Sequence, residues 1–292
     1  MKRENSKRNW GKTLMVALVS VAFMAFVSCT PEPTPEPTPD TPTPDVPTPD
    51  TPTPPDDGGS TSGDTWAYLI NETPHEVQLN GNTLTYGDHV YTVNGEIELN
   101  GTVFNTPTAF VSFTNVPSGY TEFEAVYNNL LGKSIQGTAA MIPMAMEIFA
   151  RDAAVGERCF NLLCKGPATV SEIVRILRTK FNYSPYSPEN DLYVQRFLPA
   201  VTLKGAAYNN AYTPTEPYTV EMCRSANAPG PYTFDAYGTV YYVYILAPGG
   251  WDTFQRAVDI FKEDGSEYHK VFQCPAVYTM CKNIQGTWPG LK

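Results

Sequence analysis

The chain has 292 residues, a formal net charge of −10 at pH 7 and charged side chains at only 17% of its positions. An acidic surface repels nucleic acid and anionic head groups, and no basic run follows the first 12 residues. We therefore expect no nucleic-acid partner.

The first 28 residues predict a secretory signal. Residues 2–12 carry five basic side chains and one acidic one, and the apolar run LMVALVSVAFMAFV follows at 14–27. That run has the length of a signal-peptide core and is too short to span a bilayer. The next stretch, FVSC, resembles the lipobox of bacterial lipoproteins, with Phe26 where that family usually has Leu. The resemblance implies cleavage before Cys29, acylation of this cysteine and a lipid anchor in a membrane. An uncleaved anchor helix or an ordinary secreted protein are the alternatives.

Residues 29–64 predict a stalk. Twelve prolines and several acidic residues alternate between Pro31 and Asp56, and proline excludes both helix and sheet there. A polyproline II chain rises about 3.1 Å per residue, so this ladder would reach roughly 80 Å. The stretch GGSTSGD then predicts a flexible joint. The alternative is a disordered tail that only keeps the domain soluble.

The residue after the lipidated cysteine bears on location. Thr30 stands where lipoproteins retained at the inner membrane have Asp, so the resemblance implies the outer membrane. A spacer of this length favours display at the cell surface, and the periplasmic face is the alternative.

Residues 65–292 predict a single α+β domain that begins with a β-hairpin region, 65–117. Asn80-Gly81, Asn94-Gly95 and Asn100-Gly101 punctuate alternating apolar and polar residues, and Asn-Gly is a strong hairpin signal. We expect two to four short antiparallel strands, either as a small meander or as an edge addition to a larger sheet.

A helical half of three to four helices is predicted over 118–182. Thr121 with Glu124, and Thr169 with Glu172, have the spacing of capping boxes at two helix starts. Met141 to Leu163 is apolar nearly all round and should be the most buried helix, with Pro143 near its first turns and a break near Gly156.

Residues 183–292 predict a long loop followed by antiparallel strands. The loop, 183–217, is rich in tyrosine and proline, and a loop of that length is usually functional or ordered by packing. Strand-like segments follow at 218–224, 238–246, 256–263 and 268–274, with a hairpin turn at Gly265.

Five cysteines lie beyond Cys29, and an odd number cannot all pair. Cys159 and Cys164 are five residues apart in a helical pattern, too far for a disulfide, so we interpret both as small buried hydrophobes. A cross-strand pair of Cys223 with Cys274 is possible.

Several segments together resemble an uncharacterised bacterial domain family. They are LLGKSIQGTAAM at 130–141, FLPAVTLKGAAYNNAYTPTEPYTVEM at 197–222 and the strand-rich stretch at 240–273. The resemblance covers roughly 118–281 and implies one domain with a helical half and a β half. It implies no activity and no catalytic residue.

Motifs for catalysis, cofactors and metals are missing from the sequence, so we expect no cofactor and no metal. The three histidines are far apart: His75, then His89 as a turn residue, then His269 as a solvated strand residue. Glu96 and Glu98 share one face of a predicted strand, where solvation is commoner than acid–base catalysis.

Aromatic side chains near predicted turns are the candidate ligand-stacking residues, because flat rings beside Asn and Asp suit sugars and peptides. They are Tyr183, Tyr186, Tyr193, Tyr208, Tyr212 and Trp251. The alternative is that they pack the long loop onto the sheet.

The sequence therefore favours a non-catalytic envelope lipoprotein that binds a glycan or a protein. A glycan- or peptidoglycan-directed hydrolase is the enzyme alternative, and two carboxylates or a Cys/His pair meeting in a cleft would support it. A structural envelope assembly protein is the third hypothesis.

Overall fold

The computed structural model describes residues 73–99, 102–181, 195–226, 230–234, 237–250, 254–279 and 281–292. The predicted signal peptide, the predicted lipidation site Cys29 and the predicted stalk lie outside these residues. Within them, four helices and nine strands form the α+β fold that the sequence predicts.

All nine strands belong to one antiparallel sheet. They are β1 (Val77–Asn80), β2 (Thr83–Tyr86), β3 (His89–Gly95), β4 (Ala109–Phe113), β5 (Tyr218–Cys223), β6 (Tyr232–Phe234), β7 (Gly238–Leu246), β8 (Gln255–Glu263) and β9 (His269–Gln273). The strand order is β1-β2-β3-β4-β5-β7-β8-β9, and β6 pairs with the part of β7 that β5 leaves free. The predicted N-terminal hairpins are therefore an edge addition to the larger sheet.

Glycines set the turns of this N-terminal region. Gly81 and Gly87, with φ of 60° and 61°, lie in the two-residue turns that join β1 to β2 and β2 to β3. The hairpin predicted at Asn80-Gly81 is thus confirmed. The turn predicted at Asn94-Gly95 is wrong, because both residues pair with β4 at the end of β3. A Cβ on Gly95 would stand 2.0 Å from the Thr108 carbonyl oxygen, so glycine serves a close strand approach there. Asn100-Gly101 lies outside the described residues.

The helices cover one face of the sheet and enclose the core. They are α1 (Tyr120–Asn129), α2 (Ile135–Arg151), α3 (Ala153–Leu163) and α4 (Pro167–Lys180). Every α2 residue from Gln136 to Ala150 is buried, which confirms the central helix, although Pro143 lies in the middle of α2 and not in its first turns. Alternate residues of the central strands, such as Val111, Val220 and Val243, face this helical layer. No helix in the described part of the chain is long and apolar enough to cross a membrane.

The break between α2 and α3 lies at Asp152, not near Gly156. The Asp152 carboxylate accepts from the N–H groups of Ala154 and Val155 and so caps α3. Gly156 lies inside α3, where a Cβ would stand 2.2 Å from the Cα of Phe149. The glycine therefore allows α2 and α3 to pack closely.

Neither predicted capping box forms. Helix α1 begins after Gly119 without a side-chain cap, and Glu124 bonds to the hydroxyl of Tyr120 instead. Helix α4 begins at Pro167, and Thr169 donates to the Phe272 carbonyl, which ties α4 to β9. In both helices the predicted cap residue, Thr121 or Thr169, lies inside the first turn and not at the N-cap, so the local motif does not form.

The C-terminal strands agree with the prediction. Strands β5, β7, β8 and β9 lie in the predicted segments, and Gly265, with φ of 81°, forms the turn before β9. Strand β6 was missed because it has only three residues. The described part of the long loop, 195–217, packs on the core through Leu198 and Val201.

The five described cysteines are buried, and none of them forms a disulfide with another described residue. This confirms Cys159 and Cys164 as buried hydrophobes, with Cys164 ending α3. The Cys223–Cys274 pair is wrong. Cys223 lies on β5 and Cys274 follows β9, and β9 is the third strand from β5 in the sheet. The spacing of neighbouring strands puts these two strands on the order of 14 Å apart, which is too far for a disulfide.

Candidate functional site

The predicted stacking residues are only partly described. Tyr183, Tyr186, Tyr193 and Trp251 lie outside the described residues, whereas Tyr208 and Tyr212 lie in and after a short 3-10 turn.

Tyr212 packs inside the domain. It is fully buried, its ring stacks on Phe197 with centroids 4.8 Å apart, and its hydroxyl donates to the Lys282 carbonyl. Its ring is therefore not open to a ligand, which corrects the prediction for this residue. Tyr208 is half-buried, and the Lys282 ammonium lies 5.3 Å from its ring centroid.

The predicted Glu96 and Glu98 pair lies just beyond the end of β3. Both side chains are exposed on either side of the buried Ile97, as expected for solvated acids. The prediction that His269 is solvated is wrong. His269 is buried on the helix-facing side of β9, and its Nδ1 has no hydrogen-bond partner among the described residues.

Two other histidines meet in one cleft. Turn β2–β3, the segment before β1 and the start of α1 enclose about 230 Å³. We name it the histidine cleft, and it is lined by Thr73, His75, Tyr86, Asp88, His89, Ser118 and Glu122.

Glu122 is the buried centre of the histidine cleft and is 1% exposed. Its Oε1 accepts from Nδ1 of His89 and from the hydroxyl of Tyr91, each at 2.7 Å. Its Oε2 accepts at 2.8 Å from both the backbone N–H and the hydroxyl of Ser118. Burial and the Glu122 charge raise the pKa of Tyr91 well above its usual value. Four donors saturate the carboxylate, so Glu122 orients its neighbours.

In this arrangement only one ring nitrogen of His89 is available for proton transfer. Because Nδ1 is bonded to Glu122, Nε2 is the atom that could exchange a proton with a ligand, and it lies 3.8 Å from the Asp88 carboxylate. Two carboxylates therefore converge with a histidine in a concave site. Among the described residues no group of three His, Cys, Asp or Glu side chains could hold a metal ion.

A second cleft, of about 340 Å³, lies where β7 begins and the β8–β9 hairpin turns, beside the α3–α4 linker. We name it the lysine cleft, and it is lined by Lys165, Tyr237, Phe261, Glu263, Ser266, Tyr268 and Lys270.

Lys165 lies in the α3–α4 linker. This linker runs along the free edge of β9, where the backbone N–H of Lys165 donates to the Val271 carbonyl. The exposed Lys165 side chain crosses over aromatic rings. Its Nζ is 3.5 Å from the ring centroid of Phe261, 4.4 Å from that of Phe234 and 5.7 Å from that of Phe272. Cation–π attraction holds this ammonium group in place without neutralising its charge.

Lys270 approaches from β9. Its Nζ donates to the Leu162 carbonyl near the end of α3 and lies 4.7 Å from the ring centroid of Tyr127. Burial lowers the pKa of Lys270, and the neighbouring Cys164 opposes this shift. The structure thus brings two ammonium groups from separate elements to one cleft.

Four of the five described thiols are poor nucleophiles. Burial raises the pKa of Cys164 to about 12 and those of Cys223 and Cys281 to about 11, and it raises that of Cys274 well above its usual value. A thiol with such a pKa stays protonated at neutral pH, so these residues do not support cysteine catalysis.

Sequence reasoning missed Lys165, Lys270 and Tyr237. Their positions are far apart along the chain, and no motif links them. The only local signal was the aromatic richness of the strands that supply the floor of the lysine cleft.

Comparison with known proteins gives a family. The model of a domain of unknown function, DUF6935, matches residues 115–285, which is more than half of the chain. No curated protein and no solved structure matches. The described lining of the lysine cleft lies wholly inside the matched region, whereas His75, Asp88 and His89 precede it. The chain belongs to the family of the domain of unknown function DUF6935.

Proposed function

We propose that the protein is a cell-envelope lipoprotein whose domain binds a ligand in the lysine cleft without transforming it. The observation that carries this proposal is the pair of ammonium groups, from Lys165 and Lys270, beside exposed aromatic surface in one open cleft. The volume of the lysine cleft, about 340 Å³, lies near the lower end of the range of roughly 300–1,000 Å³ that is typical of ligand sites.

The anchor is part of the same proposal. Acylation at Cys29 would attach the chain to the outer membrane, and the proline-rich stalk would hold the domain beyond the surface. Wild-type protein should partition into detergent, and Cys29→Ser should leave it unprocessed or in the soluble fraction. Protease added to intact cells should release the domain by cutting within GGSTSGD, because glycine and serine leave the backbone accessible. Protection in intact cells but not in lysed cells would place the domain in the periplasm.

Binding can be tested on the mature chain with Cys29→Ser, which carries no lipid. We expect a ligand on an array of neutral glycans, acidic glycans and peptides, and Lys165→Gln should weaken its binding. Lys204→Gln is the matched control, because Lys204 forms an ion pair with Glu221 outside the cleft. Absence of any ligand on the array, or equal effects of the two variants, would contradict a binding role for the lysine cleft.

A glycan-directed hydrolase is the second candidate, and the histidine cleft favours it. Asp88 and Glu122 converge there with His89, whose Nε2 could act as a general base toward water. New reducing ends after incubation with bound glycans, lost in His89→Gln, would establish hydrolysis. Unchanged glycans would leave binding as the function.

A further inference from the structure

We propose that the lysine cleft binds an acidic saccharide, with the sugar carboxylate between Lys165 and Lys270 and one ring face on Tyr237. This inference rests on the binding role proposed above and names the ligand class.

The charge of the cleft is the first step. The described lysines that form ion pairs are Lys133 with Glu267, Lys204 with Glu221 and Lys292 with Glu216, and none of these six residues belongs to the described lining of the lysine cleft. Lys165 faces aromatic rings and Lys270 a carbonyl oxygen, so no carboxylate of the described chain neutralises either. Two unneutralised ammonium groups lining one cleft of an acidic protein are complementary to an anion.

The aromatic surface is the second step. Tyr237 is 69% exposed, although its backbone is held where the Asp264 N–H donates to the Tyr237 carbonyl. A flat, exposed ring at the rim of a cleft offers a stacking face for the apolar side of a sugar ring.

The acidic rim is the third step. Glu263 lines the same cleft and is exposed. Its carboxylate can accept hydrogen bonds from hydroxyl groups, and it repels a ligand with dense negative charge. A saccharide with one carboxylate on each ring offers hydroxyl groups to Glu263 and has a low density of negative charge. A polyphosphate offers neither.

The backbone disfavours an extended acidic peptide. A peptide that adds to a sheet needs free backbone groups. Around the lysine cleft the carbonyls of Tyr237, Glu263 and Val271 already accept from Asp264, Ser266 and Lys165. Recognition in the cleft therefore depends on side chains, which suits a saccharide.

The test is calorimetric titration of the mature Cys29→Ser chain with trisaccharides of galacturonic, glucuronic and mannuronic acid. The methyl ester of each trisaccharide is its neutral counterpart, and triglutamate represents acidic peptides. We expect one acid to bind at least tenfold more tightly than its methyl ester and than triglutamate. Lys165→Gln, Lys270→Gln and Tyr237→Ala should each weaken binding at least tenfold, and Lys165→Arg should retain it. Lys204→Gln is the control, and thermal unfolding should show that every variant is folded.

The outcomes separate this inference from the broader proposal. Equal binding of acid and ester, or tighter binding of triglutamate, overturns the acidic saccharide. If a neutral glycan binds and the variants of the lysine cleft weaken it, the binding function stands and the acidic class fails. If none of the uronic acids and no other array ligand binds, both fail.

Discussion

The histidine cleft and the lysine cleft lie toward opposite ends of the strand order. They differ in how far their charged side chains are satisfied by other groups of the protein. At β2–β3, Glu122 receives four hydrogen bonds from within the protein. At β7–β9, Lys165 and Lys270 have rings and a carbonyl as neighbours, and neither has a carboxylate partner among the described residues. A saturated buried charge holds elements together, and an unneutralised accessible one is available to a ligand.

The family match follows the same division. The lysine cleft belongs wholly to residues 115–285, while the histidine cleft needs strands that precede them. Any property that members share through this domain is therefore better sought at the lysine cleft.

The largest effect on stability should come from the histidine cleft. Glu122→Ala leaves the Tyr91 hydroxyl, the His89 ring and the Ser118 N–H without their acceptor, and should lower the free energy of unfolding by about 3–5 kcal/mol. Urea unfolding measures it. Glu124→Ala on the same helix is the control and should lose about 1 kcal/mol, since Glu124 accepts one bond, from Tyr120. Equal losses would mean that Glu122 does not hold the cleft together.

Acid should destabilise the end of the sheet beside the lysine cleft through His269. Burial, aided by Lys262, lowers the pKa of His269 from 6.5 to about 4, against a hydrogen bond with the Gly132 backbone. Below about pH 6.5 the unfolded chain therefore binds a proton at His269 that the folded state excludes. The contribution of neutral His269 to the free energy of unfolding is complete above about pH 6.5, and it falls toward pH 4 by at most about 1.4 kcal/mol per pH unit.

The measurement is the free energy of unfolding of wild type and His269→Gln between pH 7 and 4. The difference between them should shrink as the pH falls. Taking the difference removes the opposite contributions of Glu147 and Asp259, whose pKa values burial raises. Parallel pH profiles would show that His269 titrates normally in the folded protein.

The floor of the lysine cleft can be disturbed at Gly238. A Cβ there would stand 2.4 Å from the Lys262 carbonyl oxygen and 2.5 Å from the Phe261 ring. Gly238→Ala should therefore lower the free energy of unfolding by about 1–3 kcal/mol. Gly166→Ala is the control, because no atom lies within 4 Å of its added Cβ. A thermal midpoint equal to that of the control would refute tight packing at this strand start.

The smallest effect on stability should follow Lys165→Gln, which removes an exposed charge and its cation–π contacts and should lower the free energy of unfolding by less than about 1 kcal/mol. A small change in stability combined with the loss of binding expected above would show that Lys165 contacts the ligand and does not serve the fold. Chemical unfolding measures it, and a loss as large as that of Glu122→Ala would show that the charge serves the fold.

Local patterns predicted much of the fold. Alternation and turn glycines predicted short antiparallel strands in 65–117 and located β5, β7, β8 and β9, and apolar composition located the buried α2. The predicted capping boxes do not form because α1 and α4 begin before Thr121 and Thr169, which therefore lie in the first turn and not at the N-cap. Among the aromatic candidates, sequence could not separate the buried Tyr212 from an exposed ring, since turns can face either core or solvent.

The sequence by itself determined the α+β class, the central helix and the acidic balance, because period, composition and charge are local or additive properties. Only the tertiary structure decided that His75 and His89 share a cleft, and that Lys165 and Lys270, 105 positions apart, line another. Such convergence depends on strand order and on which edge a linker follows. Here the α3–α4 linker follows β9, and long-range packing sets that choice.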